Sequence, residues 1–298
     1  MMEVTGTPEP RTVRGADGHV TGYYEFGDTD GTPVVAMHGT PASGAGFAWA
    51  DAPARARGIR VLAPDRPGVG DSDRWDRGHR VVVGDYPARL EAFADALGIP
   101  TFSVLGYSGG GPYALAAAHA LSGRVTATAV VSGAGQVGVW ASVADFEATD
   151  RWLTKIALHA PAVARSTLGV SARFARLAPR TSLRFAKLEM SKSDRAILDE
   201  FEDAPAAVAV FTQSCRRTAV GVVDDYAALG RPWRFGVEGI SVPVRCWHAP
   251  TDPLVPIAHS EELVRRIPGA QLARWEGEGH LAIVEHIGEV LDALLQSA

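Results

Sequence analysis

The stretch TFSVLGYSGGGPYALAAA (residues 101–118) places Ser108 in a glycine-rich turn between two predicted elements of regular structure. The apolar residues before the turn predict a short buried strand, and the alanine-rich residues after it predict a helix that begins at Pro112. Gly106, Ser108 and Gly110 match the pattern G-x-S-x-G, in which the chain turns so sharply that the neighbouring residues must be small. The pattern predicts an exposed serine hydroxyl that acts as a nucleophile.

Glycine-rich turns between a strand and a helix also bind phosphate groups, but residues 106–111 match neither common form of that site. Their glycines do not have the spacing G-x-G-x-x-G of a dinucleotide-binding turn, and no Lys-Ser or Lys-Thr pair follows them as in a P-loop. The stretch therefore disfavours a nucleotide-binding protein.

Composition and charge exclude several other classes of protein. The chain has 298 residues, 46% of them hydrophobic, and a formal net charge of -5, so its overall charge does not favour nucleic acid. Cys215 and Cys246 are the only cysteines, too few for a disulfide framework or a paired-cysteine zinc motif. The sequence has no signal-peptide pattern, and no apolar run approaches the ~18 residues of a membrane span. We predict a soluble cytoplasmic protein without a metal or a cofactor.

Strand and helix patterns alternate in the first part of the chain and again near its end. Predicted strands lie at 19–27, 33–39, 59–63, 101–108, 124–133, 242–248 and 270–276. Predicted helices lie at 86–99 and 283–295. This alternation predicts an α/β fold, with a mostly parallel sheet flanked by helices on both faces.

The middle of the chain breaks this alternation, because no strand pattern occurs from about residue 136 to residue 235. Predicted helical runs in this part are 141–159, 161–177, 180–189, 193–202 and 205–229. We therefore predict a core formed by residues 1–136 and 236–298, and an all-helical cap inserted at residues 137–235.

A nucleophilic serine needs a base, and the base needs an acid that orients it. In chains with this turn the order is serine, acid, histidine. Asp252 follows the predicted strand at 242–248, and His280 follows the strand at 270–276 in a loop before the last helix. The carboxyl ends of parallel strands meet at one edge of a sheet, so we expect Asp252 and His280 to lie close to Ser108.

Other residues compete for these two roles. Asp224 and Asp225 are candidate acids, although both lie in the helical insertion, and Asp252 precedes a proline and could instead cap a helix. His286 lies within the last helix, where a surface or packing role is more common, and His248 ends a strand and is expected to be buried.

Acyl transfer also needs backbone N–H groups that stabilise a negatively charged oxygen. One donor is the residue after the nucleophile, here Gly109, and the other lies in a loop after an earlier strand. HGTPAS (residues 38–43) is such a loop, in which we predict Thr40 as the donor. A tight Gly-Pro turn without this function is the alternative.

The motifs HGTPAS, DRPGVGDSD, GYSGGGPYALA, DPLVP and GEGHL, in this order, resemble those of the α/β-hydrolase superfamily. The resemblance implies an eight-stranded, mostly parallel sheet and a variable lid formed by the insertion. It implies a triad of Ser108, Asp252 and His280, and an oxyanion hole formed by Thr40 and Gly109.

The resemblance also implies a structural role for DRPGVGDSD, so we expect Asp65 and Arg66 to be hydrogen-bonding scaffold. The sequence departs from the family in the acid loop, which reads APTD where relatives usually begin with glycine. Ala249 replaces that glycine, and Pro250 restricts its conformation, so we expect this loop to bend differently.

The insertion carries many cations and aromatic residues. Residues 151–188 contain no acidic residue and eight basic ones: Arg151, Lys155, Arg165, Arg173, Arg176, Arg180, Arg184 and Lys187. We expect Pro179 to kink or split a helix there. A solvated helix face accounts for the basic residues most simply, and the alternative is a dock for an acidic partner such as a carrier protein, coenzyme A or an anionic membrane surface.

Candidate pocket residues are Tyr107, Trp140, Trp152, Phe211 and Trp233.

The sequence favours a serine hydrolase that cleaves a small-molecule ester, lactone or thioester through an acyl-enzyme. An aminopeptidase of the prolyl type is an alternative, which would need cap carboxylates to hold the substrate amine, and Glu189, Glu202 and Asp203 are available. The same residues could serve a lyase, a cyclase or a perhydrolase, and a non-catalytic binding protein is the remaining class.

Overall fold

A computed structural model describes residues 9–76, 78–200 and 204–296, and within them eight strands form one sheet. The strands are β1 (Arg11–Arg14), β2 (Val20–Gly27), β3 (Thr32–Met37), β4 (Ile59–Pro64), β5 (Phe102–Tyr107), β6 (Val125–Val131), β7 (Val244–His248) and β8 (Gln271–Arg274). Seven of them match predicted strands. β1 was not predicted, because its sequence RTVR is short and lacks an apolar alternation.

The sheet has the strand order β1-β2-β4-β3-β5-β6-β7-β8. β2 pairs antiparallel with both β1 and β4, and every other pairing is parallel. The predicted mostly parallel eight-stranded sheet is confirmed. The carboxyl ends of β3, β5, β7 and β8 therefore lie at one edge, where the loops that follow them meet.

The described residues form eleven α-helices. They are α1 (Asp51–Arg55), α2 (Tyr86–Ala96), α3 (Gly111–Ala120), α4 (Ala148–His159), α5 (Pro161–Leu177), α6 (Pro179–Ala186), α7 (Lys192–Glu200), α8 (Ala204–Ser214), α9 (Val220–Leu229), α10 (Ala258–Arg266) and α11 (Ile283–Gln296). None of them is long and apolar enough to cross a membrane.

Helices cover both faces of the sheet because its strands are apolar on both sides. In β3, Val35 and Met37 face the cluster that contains residues of α2, α3 and α10. Val34 and Ala36 face the opposite cluster, which contains residues of α1 and α11. A parallel strand that is buried on both faces is a continuous apolar run without polar alternation. This is why the strand could be predicted from the sequence.

The six helices α4 to α9 lie between β6 and β7, and residues of α4, α5 and α9 form an apolar cluster together with Val69 from the loop after β4. Among the described residues of this insertion the only β pairing is an isolated bridge between Val137 and Ala141. The last part of the insertion packs into the sheet core, since Leu229 and Trp233 belong to that cluster. The boundaries predicted for the cap remain a prediction.

Two details of the helical prediction were tested by the structure. α5 ends at Leu177 and α6 begins at Pro179, so the proline splits the helix as expected. The single run predicted at 205–229 was wrong, because it is two helices, α8 and α9, joined by a turn. At this turn Arg216 forms an ion pair with Asp71, which holds the turn against the core.

Candidate active site

The predicted turn joins β5 to α3 as the sequence pattern requires. β5 ends at Tyr107, and a short 3-10 turn, Ser108–Gly110, precedes α3. Ser108 has φ +54°, a left-handed conformation that residues other than glycine rarely adopt. Backbone strain of this kind is concentrated at functional sites and is typical of a nucleophile turn.

The glycines around Ser108 are required by the close approach of backbone to backbone. A Cβ atom on Gly106 would lie 2.7 Å from the carbonyl oxygen of Gly110, and one on Gly110 would lie 2.1 Å from the carbonyl oxygen of Met37. A Cβ atom on Gly111 would lie 3.0 Å from the Cα of Gly133, so this glycine allows α3 to pack against the chain after β6.

His280 and Asp252 form a direct hydrogen bond at the carboxyl edge of the sheet. Nδ1 of His280 lies 2.7 Å from Oδ2 of Asp252, and both side chains are almost fully buried. The other carboxylate oxygen, Oδ1, accepts hydrogen bonds from the backbone N–H groups of Leu254 and Val255. The loop with Ala249 in place of glycine thus still brings Asp252 to His280.

His248 is a further partner of Asp252 that the sequence analysis placed only as a buried residue. Its Nε2 lies 3.3 Å from Oδ2 of Asp252 and 2.9 Å from the carbonyl oxygen of Val255, and its Nδ1 lies 2.7 Å from Oγ of Ser260. The acid is therefore held between two imidazoles, one from β7 and one from the loop after β8.

Electrostatic interactions shift the pKa values of this pair in opposite directions. Burial alone would raise the pKa of Asp252, but His280 and His248 hold it well below its usual range. Burial lowers the pKa of His280, yet the carboxylates of Asp252, Asp194 and Asp150 outweigh burial and raise it above the ordinary histidine value. The imidazole is therefore a stronger base than a free histidine.

Tyr107 links the turn of Ser108 to the loop of His280. Its hydroxyl donates a hydrogen bond of 3.1 Å to the carbonyl oxygen of His280, and the two rings lie 5.1 Å apart. Because Tyr107 directly precedes Ser108, this contact joins the strand that ends at the strained turn to the loop that carries the imidazole.

The predicted oxyanion donors, Thr40 and Gly109, lie side by side. A Cβ atom on Gly109 would be only 2.8 Å from Oγ1 of Thr40. The loop before them is held by Arg66, whose guanidinium donates to the carbonyl oxygens of His38 and Gly39 and to Oγ1 of Thr40. Arg66 therefore fixes the path of the backbone that carries one of the predicted donors.

Arg66 is fully buried, and its charge is balanced by Asp225 of α9. Nε of Arg66 lies 2.9 Å and Nη2 lies 2.7 Å from Oδ2 of that carboxylate, and the hydroxyl of Tyr113 donates to Oδ1 at 3.1 Å. Asp225, which the sequence offered as a competing acid, is thus the counter-ion of Arg66. No local pattern marks this pairing, since the two residues are 159 positions apart.

Asp65 and Arg66 are the hydrogen-bonding scaffold that was expected. Asp65 accepts a hydrogen bond of 2.7 Å from the backbone N–H of Gly44, and its backbone carbonyl accepts one from Ser72. Burial raises the pKa of Asp65 to about 7.

Two carboxylates of the insertion, Asp150 and Glu189, have hydrogen-bond partners within the insertion. Asp150 of α4 accepts a hydrogen bond of 2.7 Å from the hydroxyl of Tyr226, and burial raises its pKa while the charge of His280 lowers it. Glu189 accepts a hydrogen bond from Thr149. Glu202 and Asp203, the other predicted amine-binding carboxylates, lie outside the described residues.

The five candidate pocket aromatics have different environments. Tyr107 contacts His280, and Phe211 is half-buried against the apolar cluster of the insertion. Trp233 is fully buried in the sheet core, where its ring packs between Trp140 and Phe235. A pocket role for it stays a prediction.

Trp152 lies at the surface of α4, and its pocket role stays a prediction. Its side chain is 48% exposed, and on α4 it lies on the opposite side from the buried residues Leu153, Thr154 and Ala157. The apolar stripe of α4, not its aromatic residue, faces the interior.

Most of the basic residues at 151–188 are solvent-exposed, and three of them have partners inside the insertion. Arg151 donates a long hydrogen bond of 3.5 Å to the carbonyl oxygen of Ala144, and the other two are Arg176 and Lys187. Arg176 donates to the carbonyl oxygens of Thr212 and Cys215, and Lys187 forms an ion pair with Asp199. These two cations connect helices of the insertion. A dock for an acidic partner remains a prediction.

Two other groups of residues have a spacing that could suit a ligand. Residues 133–138 read GAGQVG, which has the spacing G-x-G-x-x-G, but no α-helix begins between β6 and Ala148, so the helix N-terminus that would bind a phosphate is missing there. Glu278, Glu285 and His286 have ligand atoms within 4.8 Å of one another, and such surface acidic groups are common without an ion. The expectation of no metal stays a prediction.

The sequence matches a family of known proteins over most of its length. A sequence model of the family described as alpha/beta hydrolase fold matches residues 32–287. The chain therefore belongs to the alpha/beta hydrolase family, as the motifs of the sequence predicted.

Individual relatives show how broad this family is. The chain is 37% identical over 122 residues to a non-heme chloroperoxidase of Streptomyces lividans, which is 41% of this chain and 44% of that protein. It is 34% identical over 74 residues, 25% of this chain, to 29% of a pimeloyl-[acyl-carrier protein] methyl ester esterase of Aromatoleum aromaticum. The chain thus spans less than half the length of these relatives. An esterase structure from Exiguobacterium antarcticum has a TM-score of 0.69 at 19% identity, covering 97% of this chain and 100% of that one.

The steric requirement at the turn predicts the effect of adding one methyl group. Gly110→Ala places a Cβ atom against the backbone of Met37 and should lower the free energy of unfolding by about 2–3 kcal/mol. Gly169→Ala is the matched control, because nothing lies within 4 Å of its Cβ position in α5, and it should raise that free energy by about 0.5–1 kcal/mol. Urea unfolding measures both, and equal stability of the two variants contradicts the packing described.

The buried ion pair predicts a large loss when one partner is removed. Asp225→Ala leaves the charge of Arg66 buried and uncompensated, which should cost about 3–5 kcal/mol in the free energy of unfolding. The double variant Arg66→Met/Asp225→Leu should recover part of this loss, because both charges of the buried pair are removed. Arg55→Ala, which breaks an exposed pair with Asp51, is the control and should change stability little. A double variant no more stable than Asp225→Ala speaks against this account.

Proposed function

We propose that the protein is a serine hydrolase that cleaves an ester, lactone or thioester of a small molecule. Ser108 is the nucleophile, His280 the base, and Asp252 the acid that orients it. The observation that carries the proposal is the buried 2.7 Å hydrogen bond between Nδ1 of His280 and Asp252. Tyr107, the residue before the strained Ser108 with its φ of +54°, contacts the same histidine. The hydrogen bond to Asp252 leaves Nε2 of His280 as the nitrogen free to accept the serine proton.

The reaction follows from the roles of these groups. His280 takes the proton of the Ser108 hydroxyl while Oγ forms a bond to the acyl carbon, and the N–H groups of Thr40 and Gly109 stabilise the negative oxygen. The imidazolium then gives its proton to the leaving alcohol or thiol as the carbon–oxygen or carbon–sulfur bond breaks. Water, deprotonated by His280, attacks the acyl-enzyme, and the carboxylic acid leaves as Ser108 regains its proton.

A second candidate, perhydrolysis, is favoured by the similarity to a non-heme chloroperoxidase. In that reaction hydrogen peroxide replaces water in the second step: its oxygen bonds to the acyl carbon, the bond to Ser108 breaks, and a peracid leaves. Measuring peracid against carboxylic acid from one ester, with and without peroxide, separates the two functions.

Removal of the nucleophile is the direct test of the mechanism. Ser108→Ala should lower kcat for a small ester at least about 10³-fold, because no other hydroxyl occupies the turn. Ser166→Ala, at an exposed position of α5, is the matched control and should keep full activity. Labelling by a fluorophosphonate should occur in the native protein and disappear in Ser108→Ala. Unchanged turnover in that variant would falsify the proposal.

The raised pKa of His280 predicts how activity depends on pH. A histidine with a raised pKa stays protonated up to a higher pH, and the protonated imidazole cannot act as a base. The value of kcat/KM should therefore rise with pH, with an apparent pKa above about 6.5. Asp252→Asn removes the main favourable charge and should move this limb to lower pH while lowering kcat by about 10⁴. A pH–rate profile of both proteins measures the limb, and an unshifted limb in Asp252→Asn argues against His280 as the titrating base.

A further inference from the structure

We infer that Asp194 of α7 is a positioning residue for His280, so that a helix of the insertion fixes the base of the proposed reaction. Its side chain is fully buried, and Oδ1 accepts a hydrogen bond of 2.7 Å from the backbone N–H of Leu281, the residue after His280. The inference rests on the proposed function, because it concerns the base of that reaction.

Asp194 also lies close to Gly279, the residue before His280. A Cβ atom on Gly279 would lie 2.3 Å from both Oδ2 of Asp194 and Oγ of Ser191, so the glycine is needed for the carboxylate to approach. The residues before and after His280 therefore both meet the start of α7. Together with the bond from Tyr107 to the carbonyl oxygen of His280, this holds the loop from two directions.

Helix capping alone does not explain this arrangement. Oδ2 of Asp194 accepts hydrogen bonds from the N–H and the hydroxyl of Ser191, and Ser191 in turn accepts from the N–H of Asp194, as in a capping box. That motif uses only one carboxylate oxygen. The other oxygen leaves the helix to bind Leu281, 87 positions along the chain.

Asp194 also acts on His280 through its charge. The carboxylates that act on the imidazole are Asp252 from the loop after β7, Asp194 from α7 and Asp150 from α4, and all three raise its pKa against the effect of burial. The neutral ring of Tyr107, from β5, also contacts the imidazole. Asp252 binds the ring directly, whereas Asp194 binds the adjacent backbone. We therefore expect Asp194 to influence both where the imidazole lies and when it deprotonates.

The test compares three variants of the full chain. Asp194→Ala removes the acceptor and should lower kcat about 100-fold, the effect of misplacing a catalytic group, with little change in KM. Ser191→Ala breaks the capping box but leaves the bond to Leu281, and should keep kcat within about threefold. Glu200→Ala, at an exposed acidic position of the same helix, is the matched control and should behave as the native protein.

A measurement without substrate separates this inference from the proposed function. NMR titration of the His280 imidazole in labelled protein gives its pKa whether or not an ester is cleaved, and it should fall in both Asp194→Ala and Asp194→Asn. If Asp194→Ala does not fold, the isosteric Asp194→Asn carries the test. An unchanged pKa of His280 in the folded variants, or an equal loss of kcat in Ser191→Ala, overturns the inference. Failure of the proposed function alone leaves the titration result standing.

Discussion

Arg66 lies fully buried between the sheet and the insertion, and its N–H groups donate hydrogen bonds to both of them. On one side they hold the carbonyl oxygens of His38 and Gly39, and on the other they bind the carboxylate of Asp225. A guanidinium at this position is tolerated only with its counter-ion, because a buried unpaired charge is strongly destabilising. The loop that carries Thr40 therefore has its observed path only when α9 is docked on the core. The candidate site is in this sense shared between the two parts of the chain.

The loop of His280 also depends on the packing of the insertion against the core. Asp252 approaches the imidazole from the sheet edge, Tyr107 binds the carbonyl oxygen from β5, and Asp194 binds the neighbouring N–H from α7. Two of these anchors belong to the core and one to the insertion. In the proposed reaction, movement of α7 away from the core would displace the base and remove a negative charge at once, so docking of the insertion and basicity of His280 are coupled. The fold alone does not set the reaction, as the esterase and peroxidase relatives illustrate.

Within the candidate site, the parts set by short-range geometry were the ones open to prediction. The turn at Ser108 is local, since its glycines meet backbone atoms of the same turn and of the neighbouring strand β3. Asp252 and His280 follow parallel strands, and all parallel strands present their carboxyl ends at one edge. By contrast, the sequence offered Trp233 as a pocket candidate only because it is an aromatic residue of the insertion, and such a residue can face a cleft or a core. Packing against Trp140 and Phe235 determines that it is buried.

The sequence by itself determined the α/β fold, the alpha/beta hydrolase family and the positions of Ser108, Asp252 and His280, because each depends on the pattern of a strand and the loop directly after it. Only the tertiary structure decided the partners of these residues. Arg66 meets Asp225 across 159 positions and Asp194 meets Leu281 across 87, and neither pair has a spacing that a local pattern could mark. The sequence does not distinguish a buried carboxylate from an exposed one, because burial depends on which other parts of the chain pack against it.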